Sequence, residues 1–276
     1  MGHIIRSSHL ANALRDRADV LFAFPLDKEH LIPDWMICER FPVEMDHLRQ
    51  ANPVHAAAVN GFDADMFVLD VMFPKDDWLC APKNVLIVGA GWAITRKIAK
   101  AAQLLIYQTG WEIRGCVSGP KYLMLGPAYE RRGGTKTLDA LISFGAGIPE
   151  EYEQAARQAF PDALIPESGE MLCGLQAHSR IHIGSMGMST YESIAMGCVP
   201  VVVSRSTDHA DTVRRLERLG VLVSCGILAD CSPESLVAVA KDVLSESALL
   251  DRMSEAGQKL IDGKGLARVA ERILRV

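Results

Sequence analysis

Between residues 181 and 203 the chain reads Ile-His-Ile-Gly-Ser-Met-Gly-Met-Ser-Thr-Tyr-Glu-Ser-Ile-Ala-Met-Gly-Cys-Val-Pro-Val-Val-Val. A short apolar run leads into a glycine turn, a helical pattern and a second run rich in β-branched residues. Two strands joined through a helix cannot form a hairpin; they lie parallel, and a parallel sheet needs helices over both faces. This one segment therefore commits the chain to an α/β architecture.

The same alternation recurs along the 276 residues. Apolar runs predict strands at 20–24, 66–69, 85–88, 104–107, 138–143, 181–183, 199–203 and 221–223. Amphipathic spacing predicts helices at 4–15, 44–59, 150–159, 189–196, 210–219, 233–244, 248–261 and 266–274. A proline- and glycine-bearing stretch at 126–136 is the expected linker, and it divides the chain near residue 132 into two Rossmann-like domains, 1–132 and 133–276. The helical pattern begins almost at Met1, so the N-terminal domain is expected to lack its first strand, the one that normally feeds such a helix.

A net charge of −5 and a pI near 5.9 argue against a general nucleic-acid partner. The longest apolar run, 198–203, is far too short to insert into a membrane, and no basic-then-apolar leader opens the sequence; the expected location is the cytoplasm. Seven cysteines without a Cys-x-x-Cys pair read as reduced thiols, not as a disulfide frame or zinc site. His178 and His182 are four apart, but His182 falls in a strand, so they share no helix face and no metal is expected. Val88-Gly89-Ala90-Gly91-Trp92 lacks the third glycine of a dinucleotide fingerprint, and no cofactor is expected either.

The glycine turn carries the chemistry. Gly184 and Gly187 allow close backbone approach and positive φ. The amides of Met188, Ser189 and Thr190 open a helix, where unpaired N–H groups favour a phosphate. Glu192 stands one turn in. Its carboxylate either accepts the two hydroxyls of a ribose or, through Ser189-x-x-Glu192, closes a capping box for its own helix.

Several motifs, taken in order, resemble one family. Gly2-His3-Ile4-Ile5-Arg6 resembles its Gly-His-x-x-Arg opening. Gly119-Pro120-Lys121-Tyr122-Leu123-Met124-Leu125 resembles its Gly-Pro-x-Tyr-x-x-Leu before the interdomain link. Ile142-Ser143-Phe144-Gly145-Ala146-Gly147 resembles its first C-terminal strand and glycine turn. Gly187 to Glu192, with Ala195-Met196-Gly197-Cys198-Val199-Pro200, is similar to its Gly-Gly-x-Thr-x-x-Glu turn and Ala-x-Gly-x-Pro sequel. The family is the UDP-sugar hydrolase of pseudaminic acid synthesis with the related spore-coat polysaccharide proteins, of GT-B fold.

The resemblance implies two domains facing a cleft. By it, Gly145 and the amides of Gly187, Met188, Ser189 and Thr190 hold the pyrophosphate of a UDP-linked deoxy-amino sugar, and Glu192 holds the ribose. Asp208 and His209 stand where the family has Asp-Asn-Gln beside the substrate. Gly2, His3 and Arg6 form the reactive corner: His3 is the base that activates water, or else part of a frayed terminus. A helix N-terminus disfavours imidazolium, which suits a base. Arg6 attracts a phosphate or positions a carboxylate. Asp70 aligns with the aspartate of an Asp-His-Tyr turn, but Val71 and Met72 follow it, and Val88-Gly89-Ala90 replaces an Asp-Asp. The implied activity is hydrolysis of the UDP-sugar. A GT-B glycosyltransferase, or a degenerate protein that binds without turnover, are the alternatives these departures keep open.

Overall fold

A computed structural model describes residues 2–20, 22–25, 43–46, 65–71, 79, 82–88, 95–130, 134–145, 147–167 and 169–276. The chain forms two compact units: Met1–Pro127 together with Lys264–Val276, and Ala128–Gly263.

In the first unit the first described element is helix α1 (Gly2–Leu14). Strands β1 (Phe22–Pro25) and β2 (Val43–Asp46) pair in parallel as a two-stranded sheet. The helix predicted over 44–59 is thus a strand at its start, and its remainder lies outside the described residues. A second sheet holds β3 (Met66–Val71), β4 (Lys83–Val88) and β5 (Leu104–Tyr107), all parallel, in the order β3-β4-β5. Helix α2 (Arg96–Ala101) precedes β5, with Thr95 Oγ1 accepting the Ile98 amide at 3.2 Å as its N-cap.

Strand β4 explains the layering. Val85 and Ile87 point to one face, where they pack with Leu10 and Leu14 of α1; Leu86 and Val88 point to the other, toward Ile98 of α2. A strand buried on both faces has to be apolar at every position, as 85–88 is.

The second unit has one four-stranded parallel sheet, β6 (Leu138–Ser143), β7 (Ser179–Ser185), β8 (Val199–Ser204) and β9 (Val223–Ile227), in that order. Strand β9 begins two residues later than the apolar run 221–223 suggests. Its helices are α3 (Glu150–Ala159), α4 (Gly169–His178), α5 (Met188–Ala195), α6 (Thr207–Arg218), α7 (Pro233–Ser245) and α8 (Ser247–Leu260). Ile181 and Ile183 of β7 join Tyr152 of α3 and Leu236 and Ala240 of α7 in one apolar core. His182, between them, points to the opposite face and meets Ser193 of α5. The sheet is therefore covered on both sides, as a doubly wound fold requires.

The last helix, α9 (Gly265–Ile273), does not belong with the segment it follows. Leu266, Val269, Ala270 and Ile273 are buried against Leu10, Leu14, Val85 and Ile87 of the first unit. The Leu, Val and Ile side chains among them each contribute about 1.5–3 kcal/mol on burial. A contiguous division into 1–132 and 133–276 thus differs from the compact units at their ends: the first unit closes at Pro127 and takes back the C-terminal helix. The Gly-Pro-x-Tyr stretch is where that helix docks. Gly119 adopts φ +94°, a 3-10 turn spans Pro120–Tyr122, Arg268 donates to the Lys121 carbonyl at 3.0 Å, and Arg272 donates to Tyr122 Oη at 3.3 Å. A Cβ on Gly265 would sit 2.0 Å from the Leu123 carbonyl oxygen, so only glycine permits this approach.

Among the described residues no helix is long and apolar enough to cross a membrane, and no group of three or more His, Cys, Asp or Glu is placed to hold a metal.

Candidate functional site

The second unit builds its candidate site where the sheet changes direction. Ile142 donates to the Leu164 carbonyl at 3.0 Å and Leu164 donates to Ala140 at 3.4 Å, so the segment around residue 164 lies along β6. Those β6 groups alternate with the ones that pair with β7, so 164 lies on the far side. The chain leaves β6 to one side and returns to β7 on the other, and such a switch opens a crevice beyond the carboxyl ends of the two strands. Gly145 and Ser185 meet there: the Gly145 amide donates to Ser185 Oγ at 3.0 Å.

Helix α5 begins at this point. Its N-cap is Gly187, whose amide donates to Thr190 Oγ1 at 3.2 Å while the Thr190 amide returns to the Gly187 carbonyl at 3.2 Å. Thr190 Oγ1 itself donates to the Ser185 carbonyl at 3.3 Å. The helix therefore starts one residue earlier than the 189–196 pattern implies. This corrects two expectations. Ser189-x-x-Glu192 is not the capping pair, because Thr190 performs that role. The Thr190 amide is also committed to the cap, which reserves the Met188 and Ser189 amides for the anion reading. Gly184 and Gly187 have no positive φ; Gly187 is extended at φ −172°. Their uses differ. A Cβ on Gly184 would lie 2.3 Å from the Ser143 carbonyl oxygen, whereas one on Gly187 would meet nothing within 4 Å. Gly184 serves packing, and Gly187 borders open space.

Relieved of capping, Glu192 has its carboxyl pushed up to about 7 by burial, with the nearby Tyr129 phenol acting in the opposite direction. Tyr129 is buried, in a 3-10 turn spanning Pro127–Glu130. Burial, with the Glu192 charge, raises its phenol far above the usual range, so it remains a donor. Cys173 of α4 lies close to both, its thiol pushed up by burial and then by Glu192.

Beneath α5 runs a buried polar chain. His182 Nε2 lies 3.0 Å from the Ser143 carbonyl, and His182 Nδ1 lies 2.9 Å from Ser193 Oγ. Gln176 Nε2 donates to Ser193 Oγ at 2.9 Å and to the Ser189 carbonyl at 3.1 Å. Burial pushes His182 down to about 4. The neutral ring donates from Nε2 and accepts at Nδ1, so every bond in the chain has one direction. Lys136 supports the opposite end of the same helices, donating to the carbonyls of Gln176 (3.0 Å), Ala177 (3.0 Å) and Met196 (2.9 Å). One ammonium thus caps the C-termini of α4 and α5 together.

Asp208 and His209 open α6, whose N-cap is Ser206: its Oγ accepts the His209 amide at 3.4 Å. Asp208 is exposed; burial, then the Arg205 charge, lowers the His209 imidazole. Because β8 neighbours β7, the turns bearing Gly145, Gly187–Thr190 and Asp208–His209 all follow carboxyl ends of adjacent strands in one sheet.

The first unit carries the remaining sequence-derived residues. Gly2 and His3 are the first two residues of α1, and their side chains lie outside the described set. Arg6 is buried and pairs with Asp70: Nε donates to Oδ2 at 2.9 Å and Nη2 donates to Oδ1. Ser7 Oγ adds a bond to the same Oδ2 at 2.8 Å. Of the two readings of Arg6, the structure realises the carboxylate partner, and Asp70 is the carboxylate it positions. Tyr129 and Lys136 were not legible as functional or supporting residues, since a lone tyrosine or lysine beside a glycine pair carries no spacing.

Two doubly wound parallel α/β units make up the GT-B fold of glycosyltransferases and UDP-sugar epimerases. Among solved structures, MurG of Acinetobacter baumannii is similar with a TM-score of 0.67 at 14% identity, covering 100% of this chain and 96% of that one. The glycotransferase of kitacinnamycin gives 0.65 at 14% identity over 99% and 95% of the two chains. A UDP-N-acetylglucosamine 2-epimerase gives 0.58 at 13% over 99% and 92%. In sequence, the chain is similar to the spore coat polysaccharide biosynthesis protein SpsG of Bacillus subtilis strain 168, with 20% identity across 98% of this chain and 92% of that protein. No protein-family model matches.

Proposed function

We propose that this chain hydrolyses a UDP-linked deoxy-amino sugar, releasing UDP, in the synthesis of a surface polysaccharide or nonulosonic acid. The UDP is held by the second unit: the Met188 and Ser189 amides and the Gly145 turn take the diphosphate, and Glu192 takes the ribose diol. Asp208 and His209 flank the substrate. In the reaction, His3 removes a proton from water, the water oxygen attacks the anomeric carbon, and the carbon–oxygen bond to the β-phosphate breaks with UDP as leaving group. Arg6 and Asp70, held together, fix the helix turn that carries His3.

The observation that carries this reading is the cap of α5. Thr190 closes it, which leaves Glu192 available on a helix whose N-terminus borders open space. The similarity to SpsG, named for spore coat polysaccharide biosynthesis, supports the pathway class. Incubation with candidate UDP-sugars, with UDP release followed, is the test: His3→Ala is expected to abolish release while UDP still binds. Release at the wild-type rate in that variant removes His3 from the mechanism.

Sugar transfer to an acceptor hydroxyl is the second reading, favoured by the number of glycosyltransferases sharing the fold. Mass spectrometry of the products separates free sugar from a glycosylated acceptor.

A further inference from the structure

Strand β7 lies between β6 and β8 in the four-stranded sheet, so β6 and β8 are about 10 Å apart, two strand spacings. Residues on either side of β7 nonetheless touch. Arg205 directly follows β8, and Gly147 stands in the turn after β6, at φ +83°. A Cβ on Gly147 would lie 3.2 Å from Arg205 Nη1 and 3.7 Å from its Cδ. A side chain that makes this contact has to cross the carboxyl end of β7, where Ser185, Met186 and Gly187 lead into α5. Glycine at 147 lets the arginine lie against the turn. A Cβ on Gly187 would meet nothing within 4 Å, so the arginine crosses without plugging the start of α5.

Several amides of this crevice are already committed. Gly145 donates to Ser185 Oγ, Gly187 to Thr190 Oγ1, Thr190 to the Gly187 carbonyl, and His209 to Ser206 Oγ. The Met188 and Ser189 amides assigned to the anion belong to a helix end equivalent to roughly half an elementary charge. A diphosphate carries a formal negative charge on each phosphate, so a helix end alone leaves most of it uncompensated. Lys136 is engaged at the opposite end of α4 and α5. We propose that Arg205 binds the diphosphate of the nucleotide: its guanidinium, carried across the carboxyl end of β7 to Gly147, supplies the full charge and the paired N–H donors that the two amides lack. This rests on the assignment of the diphosphate to the start of α5 made above.

The test compares UDP with uridine in wild type, Arg205→Gln and Arg205→Lys, by calorimetry for the nucleotide and ligand-observed NMR for the nucleoside. Arg205 is exposed, so the variants are expected to fold with an unchanged thermal midpoint. Arg205→Gln is expected to weaken UDP binding about 10- to 100-fold, the loss of a charge-assisted contact, and to leave uridine binding unchanged. Arg205→Lys keeps a charge without the fork and is expected to fall between wild type and the glutamine variant. A loss equal for UDP and uridine overturns the proposal, since it marks a merely structural role. A lysine variant that binds UDP no more tightly than the glutamine one overturns it as well. The two assignments fail separately. Wild-type protein that binds UDP no more tightly than uridine refutes the diphosphate site at α5 itself, whereas a wild-type preference for UDP that survives intact in Arg205→Gln refutes the role of Arg205 alone.

Discussion

The ammonium of Lys136 lies 2.9 Å from the Met196 carbonyl and 3.0 Å from those of Gln176 and Ala177, so one side chain closes two helices at once. Lys136→Met keeps the stem and deletes the charge, leaving three carbonyls without this donor. The expected loss is about 2–4 kcal/mol, from the cost of unmaking charge-assisted hydrogen bonds in a buried setting. Urea unfolding measures it; a change within experimental error would mean that water replaces the ammonium freely.

Arg6 and Asp70 form a pair that is buried on both sides. Removing one partner takes the bidentate ion pair from the other buried charge, so Arg6→Ala or Asp70→Asn is expected to cost about 3–5 kcal/mol. The double variant Arg6→Met with Asp70→Leu is expected to cost less than the two single losses combined, because no charge is then stranded. Simple additivity in a double-mutant cycle would refute the coupling.

The pH dependence of stability separates Glu192 from His182. Burial raises the Glu192 carboxyl from 4.5 to about 7, so the folded protein keeps a proton that the unfolded chain loses. That contribution is complete below the unfolded value and disappears as pH rises toward 7. Glu192→Gln is therefore expected to be more stable than wild type at pH 8 and nearly equal at pH 4, read from thermal midpoints. His182 runs the other way. Its folded value of about 4 lies below 6.5, so its contribution is present above 6.5 and lost as pH falls toward 4.

The two glycines of the turn give opposite outcomes on substitution. Gly184→Ala places a methyl 2.3 Å from the Ser143 carbonyl oxygen and is expected to destabilise the second unit by about 2–3 kcal/mol. Gly187→Ala meets open space in an extended backbone, so stability changes by about 0.5 kcal/mol or less, while UDP binding weakens because the methyl enters the space beside the α5 amides. Loss of stability in Gly187→Ala, with binding intact, would place the anion elsewhere.

The strands of the three- and four-stranded sheets were readable because a fully buried parallel strand has to be apolar throughout, as at 85–88 and 199–203. Strand β2 was not: Val-Glu-Met-Asp at 43–46 begins a stretch whose spacing matches a helix, and pairing with β1 overrides it. Helix α4 was missed for the opposite reason. Its sequence from Gly169 to His178 has weak amphipathic contrast, since Gln176 faces a polar chain inside the unit. The position of the glycine turn was legible from its glycines, but its capping was misassigned by two residues: the N-cap is Gly187 and not Ser189, and Thr190 takes the place expected of Glu192, its hydroxyl fixed by the Ser185 carbonyl. The Tyr129–Glu192 and Arg6–Asp70 pairs join residues brought together by tertiary structure, and no local spacing encodes them.

Helix α9 supplies part of the first unit's core from the end of the chain. During synthesis, residues 128–263 can assemble as soon as they leave the ribosome, while the half that is made first must wait for Ile273 before Leu10 and Leu14 gain their full cover. The order of maturation is the reverse of the order of translation, and a chain truncated after Gly263 would hold a complete second unit while Leu10, Leu14, Val85 and Ile87 of the first lack the cover of α9.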